Sequence, residues 1–446
     1  MSASIVATGV RDLGRESAAL EWSSVPADVR DRTLLVVYDT LGVMIAGART
    51  PEVRVLARQH TEIGSAPLVG FGASATSNAS CWVNGAAVCA LELDEGSKYA
   101  RGHPAAHVLP AALAWGVGHD GDGWLSAFLA GYEVAARFGR ATRLHNGVHP
   151  HGTWGGAGAA TVSARLGGLD AEGIASAMDI ATGMTLAPHF ESALAGDPVR
   201  SLWVGAANAA GLEAARLAAS GQMSISGIAA RTYGELIGAF DPEPLGVPFE
   251  ERFEIMLSYF KRHAACAFTH PAVDAVLSML DEMPIPIDEV EGVSVETFAI
   301  ASTLDRIEWP TRLAAMFSIP FVVAVAMSEG EFGPSGSDEA HRNDPRITSL
   351  ASRTTVITSD EFEARLPDRR GARVSVTLRD GSRREATVEQ PVGDAAGTKF
   401  GWNEVRSKIA TLIGRDRAQR LETAVFGIPG GTLQQLFEEL RGGETA

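Results

Sequence analysis

The chain has 446 residues, too many for one ordinary core, which predicts two domains. Its 46% hydrophobic and 21% charged content excludes a disordered chain. Lys plus Arg is 38 against 54 Asp plus Glu, a net charge of −16 that argues against nucleic-acid binding and against docking on anionic membranes. An anionic ligand would need a local positive pocket inside that repelling field. Cys81, Cys89 and Cys266 form no CxxC and no paired spacing, so neither a disulfide framework nor a zinc ribbon is expected. The N-terminus has no apolar run of signal-peptide length, and the apolar stretch Phe317 to Met327 is about half the ~20 residues of a membrane span. A cytoplasmic, reduced protein is the expectation.

In chain order, residues 28–48 place Leu34, Val37, Tyr38, Leu41 and Ile45 at helical spacing after Pro26. Stretches 81–93, 110–117, 123–139 and 202–220 are rich in Ala, Leu and Gly with few β-branched residues, the composition of closely packed helices. The character changes near residue 270. Residues 290–300 and 353–360 alternate like strands, and 372–390 reads as a hairpin with Asp380-Gly381 at its turn. Between them runs a polar Pro/Gly-containing link, 329–345, and helical patterns return after Pro391. The predicted fold is mainly α: a large all-helical domain built from both chain ends, 1–268 and 396–446, plus a smaller α+β lid domain, 269–395.

Three polar constellations stand out. Residues 91–107 gather Asp94, Glu95, Ser97, Lys98, Tyr99, Arg101, His103 and His107 between two apolar helices. Pro104 suits the first turn of the following helix and puts His103 at its N-terminus, an end that attracts carboxylates. His103 and His107 also have HxxxH spacing, but no catalytic Glu lies between them and no third ligand is evident; an ordinary polar helix cap is the plainer alternative. Residues 145–160 set His145, His149 and His151 before a Gly-rich helix start that does not match a dinucleotide fingerprint. Helix packing would explain those glycines, though not the histidines beside them. Residues 259–270 bring Lys261, Arg262, His263, Cys266 and His270 to the domain boundary. Arg262 beside Lys261 would favour an uncharged amine and make the lysine a candidate base, unless the group is a plain interdomain salt-bridge cluster. Cys266 has no histidine evidently oriented onto it as a nucleophile needs. Arg outnumbers Lys 34 to 4, so each retained lysine draws notice.

Segments 25–48, 90–114, 147–160, 200–221, 260–276 and 317–330 resemble, in order, the MmgE/PrpD family through nearly the whole chain. The resemblance implies a helical domain with an α+β lid, a homodimer, a site between the domains and no redox cofactor. It further implies activity on a small polycarboxylate: 2-methylcitrate dehydration, cis-aconitate decarboxylation or iminodisuccinate epimerisation. Carried over by position, it marks Asp94, His103, His149 and Lys261 as catalytic; imidazole chemistry makes His149 a natural base, with Lys261 facing it as an ammonium that returns the proton or serving as the base itself. Ser97, Lys98, Arg101, Thr153, Arg200, His263 and His270 complete the set expected to bind substrate. This chain departs from the family's pattern in reading LDEGS where members often read DFDDT. It also has His263 where a tyrosine is common, and Arg200 where some keep lysine. With His149, Lys261 and His263 available, the reading favours a cofactor-independent epimerase on an iminodisuccinate-like amino-polycarboxylate, the dehydratase or decarboxylase being the alternative. No cofactor, metal, nucleic acid or membrane partner is expected. Two readings from other classes remain: a metal-dependent hydrolase on His103, His107 and His149, and a non-catalytic binding protein of the same fold.

Overall fold

The computed structural model describes residues 2–60, 62–395, 397 and 400–442. The helix Ala27–Gly47 begins after Pro26 with Asp28 in its first turn, and from Thr33 to Gly47 every residue is buried. A second interior helix, Gly155–Leu166, touches Pro104–Trp115, Gly121–Ala141, Ala171–Thr182 and Trp203–Ala219. Small residues permit this. A Cβ on Gly158 would come 2.5 Å from the Gly131 carbonyl oxygen, and one on Gly211 the same distance from Ala159. Each helical glycine costs about 1 kcal/mol against alanine, which the closer backbone packing offsets. Of the glycines after His151, Gly155 and Gly158 are thus packing devices, while Gly152 holds left-handed backbone at φ +82°.

The C-terminal helix Trp402–Ile413 returns to this body, laying Ile409 over Gly42 of the helix Ala27–Gly47. Lys408 on it bonds Asp39 Oδ1 at 2.7 Å and the Leu93 carbonyl at 2.8 Å. The expected boundary at 395/396 falls on Ala396, which lies outside the described residues.

The other part is a four-stranded sheet in the order Arg383–Val388, Ala372–Leu378, Val290–Thr297, Thr354–Thr358, the last pair parallel and the others antiparallel. The hairpin forms at Asp380-Gly381, with Gly381 at φ +82° and the Leu378 N–H donating to the Ser382 carbonyl. The strand expected to run to 300 ends at Thr297, because residues Ala299–Ser302 turn into a helix. Helices His270–Glu282 and Ile319–Glu329 pack together, the former also against the hairpin.

The fold is mainly α, but the helical part is not all helical, which corrects the sequence reading. It carries three two-stranded sheets: Ala66–Leu68 with Ala73–Ala75, Gly96–Ser97 with Ser258–Tyr259, and Thr142–Leu144 with Gly238–Phe240. Strands of two or three residues lack the run of alternation that reveals a strand in sequence. Among the described residues no single helix is long and apolar enough to cross a membrane.

Candidate active site

The first and third polar segments meet through one of these short ladders, in which Gly96 pairs with Tyr259 and Ser97 with Ser258. The loop from Leu91 to His103 is folded back on itself by paired bonds between Ser97 and Gly102, of 2.8 and 3.2 Å. Two non-glycine residues in it hold left-handed backbone, Glu92 at φ +51° and Arg101 at φ +56°. Such conformations cost on the order of 1–3 kcal/mol and gather at functional sites.

Strain at Glu92 aims its carboxylate inward, where it anchors a buried chain of charges. Arg200 Nη2 donates to Glu92 Oε1. Lys261 Nζ donates to Glu92 Oε2 at 3.0 Å and lies 3.5 Å from Asp94 Oδ1. Asp94 Oδ2 lies 3.0 Å from His103 Nδ1. Every member of this chain is buried. Two cations and two carboxylates balance, which is the condition for burying charge at all. Burial alone would raise the Asp94 pKa; His103 and Lys261 beside it outweigh that and hold it below the ordinary value. Arg262, expected against Lys261, turns outward to Asp274 at 3.6 Å. Lys261 is therefore held within ion-pair distance of two carboxylates, those of Glu92 and Asp94.

Hydrogen bonds fix which ring nitrogen of each histidine is available. His103 Nδ1–H donates to the Glu95 carbonyl at 2.7 Å, so its Nε2 keeps a lone pair. His149 is the reverse. Its Nδ1 accepts the His151 backbone N–H at 3.1 Å, so the neutral ring carries its proton on Nε2. The neutral His149 ring thus offers an N–H from Nε2, whereas His103, beside Asp94, keeps its Nε2 lone pair. His149 is wedged between Phe190 and Trp203, with ring centroids 5.3 and 5.0 Å away. Burial, helped by nearby His103, His107 and Lys261, pushes His149 down to about 3. Burial likewise takes His103 to about 4, against the pull of Asp94. Both rings are neutral at pH 7.

His107 donates from Nδ1 to the His103 carbonyl at 2.8 Å and accepts the Gly152 N–H on Nε2 at 3.2 Å. With both nitrogens engaged it cannot complete an HxxxH metal pair. Beneath the loop, burial drives Glu95 up to about 8 although Tyr132 and the Ala105 N–H bond its carboxyl.

The other expected substrate contacts fare unevenly. Arg200 joins the network. Lys98 is also buried but spans to the other part of the chain, bonding Asp394 Oδ1 at 2.9 Å and the Asp368 carbonyl at 2.7 Å. Ser97 accepts the Ala100 N–H at 3.2 Å, and Thr153 donates to the Pro150 carbonyl at 2.6 Å, so each ties its own turn. His263 Nε2 pairs with Asp274 at 2.9 Å, and His270 donates to the Ala265 carbonyl at 3.2 Å; the two rings stand 5.1 Å apart behind Lys261. Arg101 is not brought to the site: it is exposed and donates to the Thr142 carbonyl at 3.2 Å. Cys266 is buried and its thiol is pushed up, which removes it as a nucleophile.

Sequence reasoning missed Glu92 and Arg370, and named His151 without giving it a role. Glu92 stands two positions before Asp94, and alternation in an extended loop could have flagged the pair. His151 forms edge contacts with His103, His107 and His149 at 5.0, 5.5 and 4.6 Å. Arg370 arrives from the sheet-bearing part and lies 4.6 Å over the Tyr259 ring. No local pattern announces it. A cleft of about 570 Å³ reaches the Arg200 end of the network between residues 52–59, 196–202 and 311–316.

Paired carboxylates, a lysine, a guanidinium and imidazoles of opposite tautomer stand together here, the side chains that acid–base chemistry uses. The chain belongs to the MmgE/PrpD family: the family's N-terminal domain matches residues 11–247 and its C-terminal domain residues 263–425. It is similar to a cis-aconitate decarboxylase of Aspergillus terreus, 25% identical over an alignment, gaps included, of 461 positions that covers 93% of each chain. A second such enzyme, of A. terreus strain NIH 2624, is 26% identical over 92% of this chain and 91% of its own. A cis-aconitate decarboxylase-like protein, oryM, of Aspergillus oryzae is 24% identical over 92% of both. Members of this family are enzymes, and these relatives are of lyase type.

Proposed function

We propose that this protein is a lyase of small polycarboxylates that uses only its own side chains, of the cis-aconitate decarboxylase kind, with 2-methylcitrate-like dehydration as the neighbouring chemistry. The observation that carries the reading is the buried chain Arg200–Glu92–Lys261–Asp94–His103, flanked by the Nε2–H of His149. The similarity to decarboxylases over more than nine-tenths of both chains moves the reading from epimerase to lyase.

In a decarboxylation the C–C bond to one carboxylate breaks and CO₂ departs. The electron pair passes into the alkene conjugated with a second carboxylate, whose oxygens gain charge. On this reading Arg200 and the His149 N–H stabilise that charge, with little reorganisation because packing already fixes both side chains. Lys261 delivers its proton to carbon, and the amine is recharged from water. A dehydration uses the same parts differently: His103 Nε2 removes the α proton, and a donor meets the leaving hydroxyl. Epimerisation is kept as a second reading on one observation. Lys261 and His103 flank Asp94 and offer a proton donor and a proton acceptor side by side.

Proton NMR in D₂O with EDTA-treated protein and cis-aconitate, 2-methylcitrate or iminodisuccinate separates these. Loss of CO₂ from cis-aconitate with one deuterium at the product's new C–H is the expected result. Deuterium exchange into iminodisuccinate with stereoisomer interconversion and no CO₂ would overturn it.

A further inference from the structure

We propose that Asp94, His103 and His151 form a binding site for one divalent transition-metal ion of the zinc type, and that its occupation shuts the acid–base site. Among the described residues this is the one group whose ligand atoms converge, one from each side chain, all within 4.8 Å of one another. All three side chains are buried. Two of their polar atoms, Asp94 Oδ2 and His151 Nδ1, have no hydrogen-bond partner. Orphaned buried polar atoms are uncommon in folded proteins, and two in one cluster of ligating groups point to a bound species. His103 leaves a nitrogen lone pair because its Nδ1–H is spent on the Glu95 carbonyl.

Two imidazoles and a carboxylate are the donor set that Zn²⁺ and its neighbours favour, and three protein ligands leave a fourth position open. This differs from the HxxxH pair in sequence, since His107 has no free nitrogen and His151 takes its place. Binding would consume the lone pair of His103 and the carboxylate that partners Lys261. The consequence is inhibition.

The test is calorimetric titration of the EDTA-treated full-length protein with Zn²⁺, and a parallel Co²⁺ titration followed by visible absorption. One equivalent per chain with the intense bands of a four-coordinate cobalt site is expected, and His151→Asn and Asp94→Asn should each weaken it at least tenfold. Absence of binding to the wild-type protein up to millimolar metal, or unchanged affinity in a folded His151→Asn variant, would overturn the proposal. One equivalent of bound Zn²⁺ should also lower turnover at least tenfold, reversibly with EDTA; full turnover with the ion bound would overturn the inhibitory role. The proposal shares residues with the lyase reading, but the titrations contain no substrate, so each can fail without the other.

Discussion

Glu92→Gln tests whether the buried charge chain organises the site. Glu92 holds Arg200 on one oxygen and Lys261 on the other, at 3.0 Å for the lysine, with all three side chains no more than 3% exposed. Glutamine keeps one acceptor but turns an amide N–H₂ toward a cation and leaves the cluster with one uncompensated positive charge. Removing one partner of a buried pair costs about 3–5 kcal/mol. The urea midpoint should fall accordingly, with little change in slope. Turnover should fall about 100-fold, the scale expected when a catalytic group moves by an ångström. The left-handed backbone gives an internal check. At φ +51° glycine relieves roughly 1–2 kcal/mol that alanine does not, so Glu92→Gly should be more stable than Glu92→Ala although both lose the carboxylate. A Glu92→Gln protein with wild-type midpoint and wild-type turnover would refute the account of the network.

Acid should destabilise the fold in a defined window. His103 and His149 have folded pKa values depressed to about 4 and about 3, so the unfolded chain takes up protons first as pH drops below about 6.5. Stability present at pH 7 is thus lost between about 6.5 and 4, by up to about 3 kcal/mol for His103 alone, and a urea midpoint flat across that range would refute it. Glu95 works in the opposite direction: raised to about 8, it keeps its proton when folded, so its contribution is lost as pH rises from about 4.5 through 8. Glu95→Gln should flatten the alkaline limb of the stability profile. Arg101→Ala should leave KM within about threefold, since an exposed residue bonded to the Thr142 carbonyl contributes little. Lys98→Met should instead lower the urea midpoint, because it removes the 2.9 Å ion pair to Asp394 and the bond to the Asp368 carbonyl from a buried position.

Sequence patterns disclosed the long elements and the polar segments but not how the segments meet. The helix at 28–48 and the hairpin at 372–390 were legible because each has a long period or a diagnostic turn dipeptide. The ladder Gly96–Ser97 with Ser258–Tyr259 was not, and it is what delivers Lys261 to Asp94. Nor can spacing show that Arg101 faces solvent while Arg370, 269 positions later, stacks on Tyr259. Side-chain direction in an irregular loop depends on its backbone, and Arg101 at φ +56° points away from the group that composition would give it.

Proton inventory is the sharpest difference between the candidate reactions. Epimerisation needs two groups that exchange roles, each able to give and to take a proton. His149 cannot take one at Nδ1 without losing the His151 N–H, and its Nε2 already carries one. Lys261 gives a proton only by leaving Glu92 and Asp94 with less positive charge between them. On the proposed reading the site is therefore asymmetric: the free lone pair is that of His103 Nε2, and the N–H groups lie elsewhere. A one-way step in which carbon is protonated once and CO₂ leaves suits this asymmetry, and proton return from the opposite face does not. Solvent deuterium should therefore enter the product once per turnover, with none washing back into unreacted cis-aconitate. Exchange into recovered substrate faster than product forms would show reversible proton transfer, and would return the argument to the epimerase.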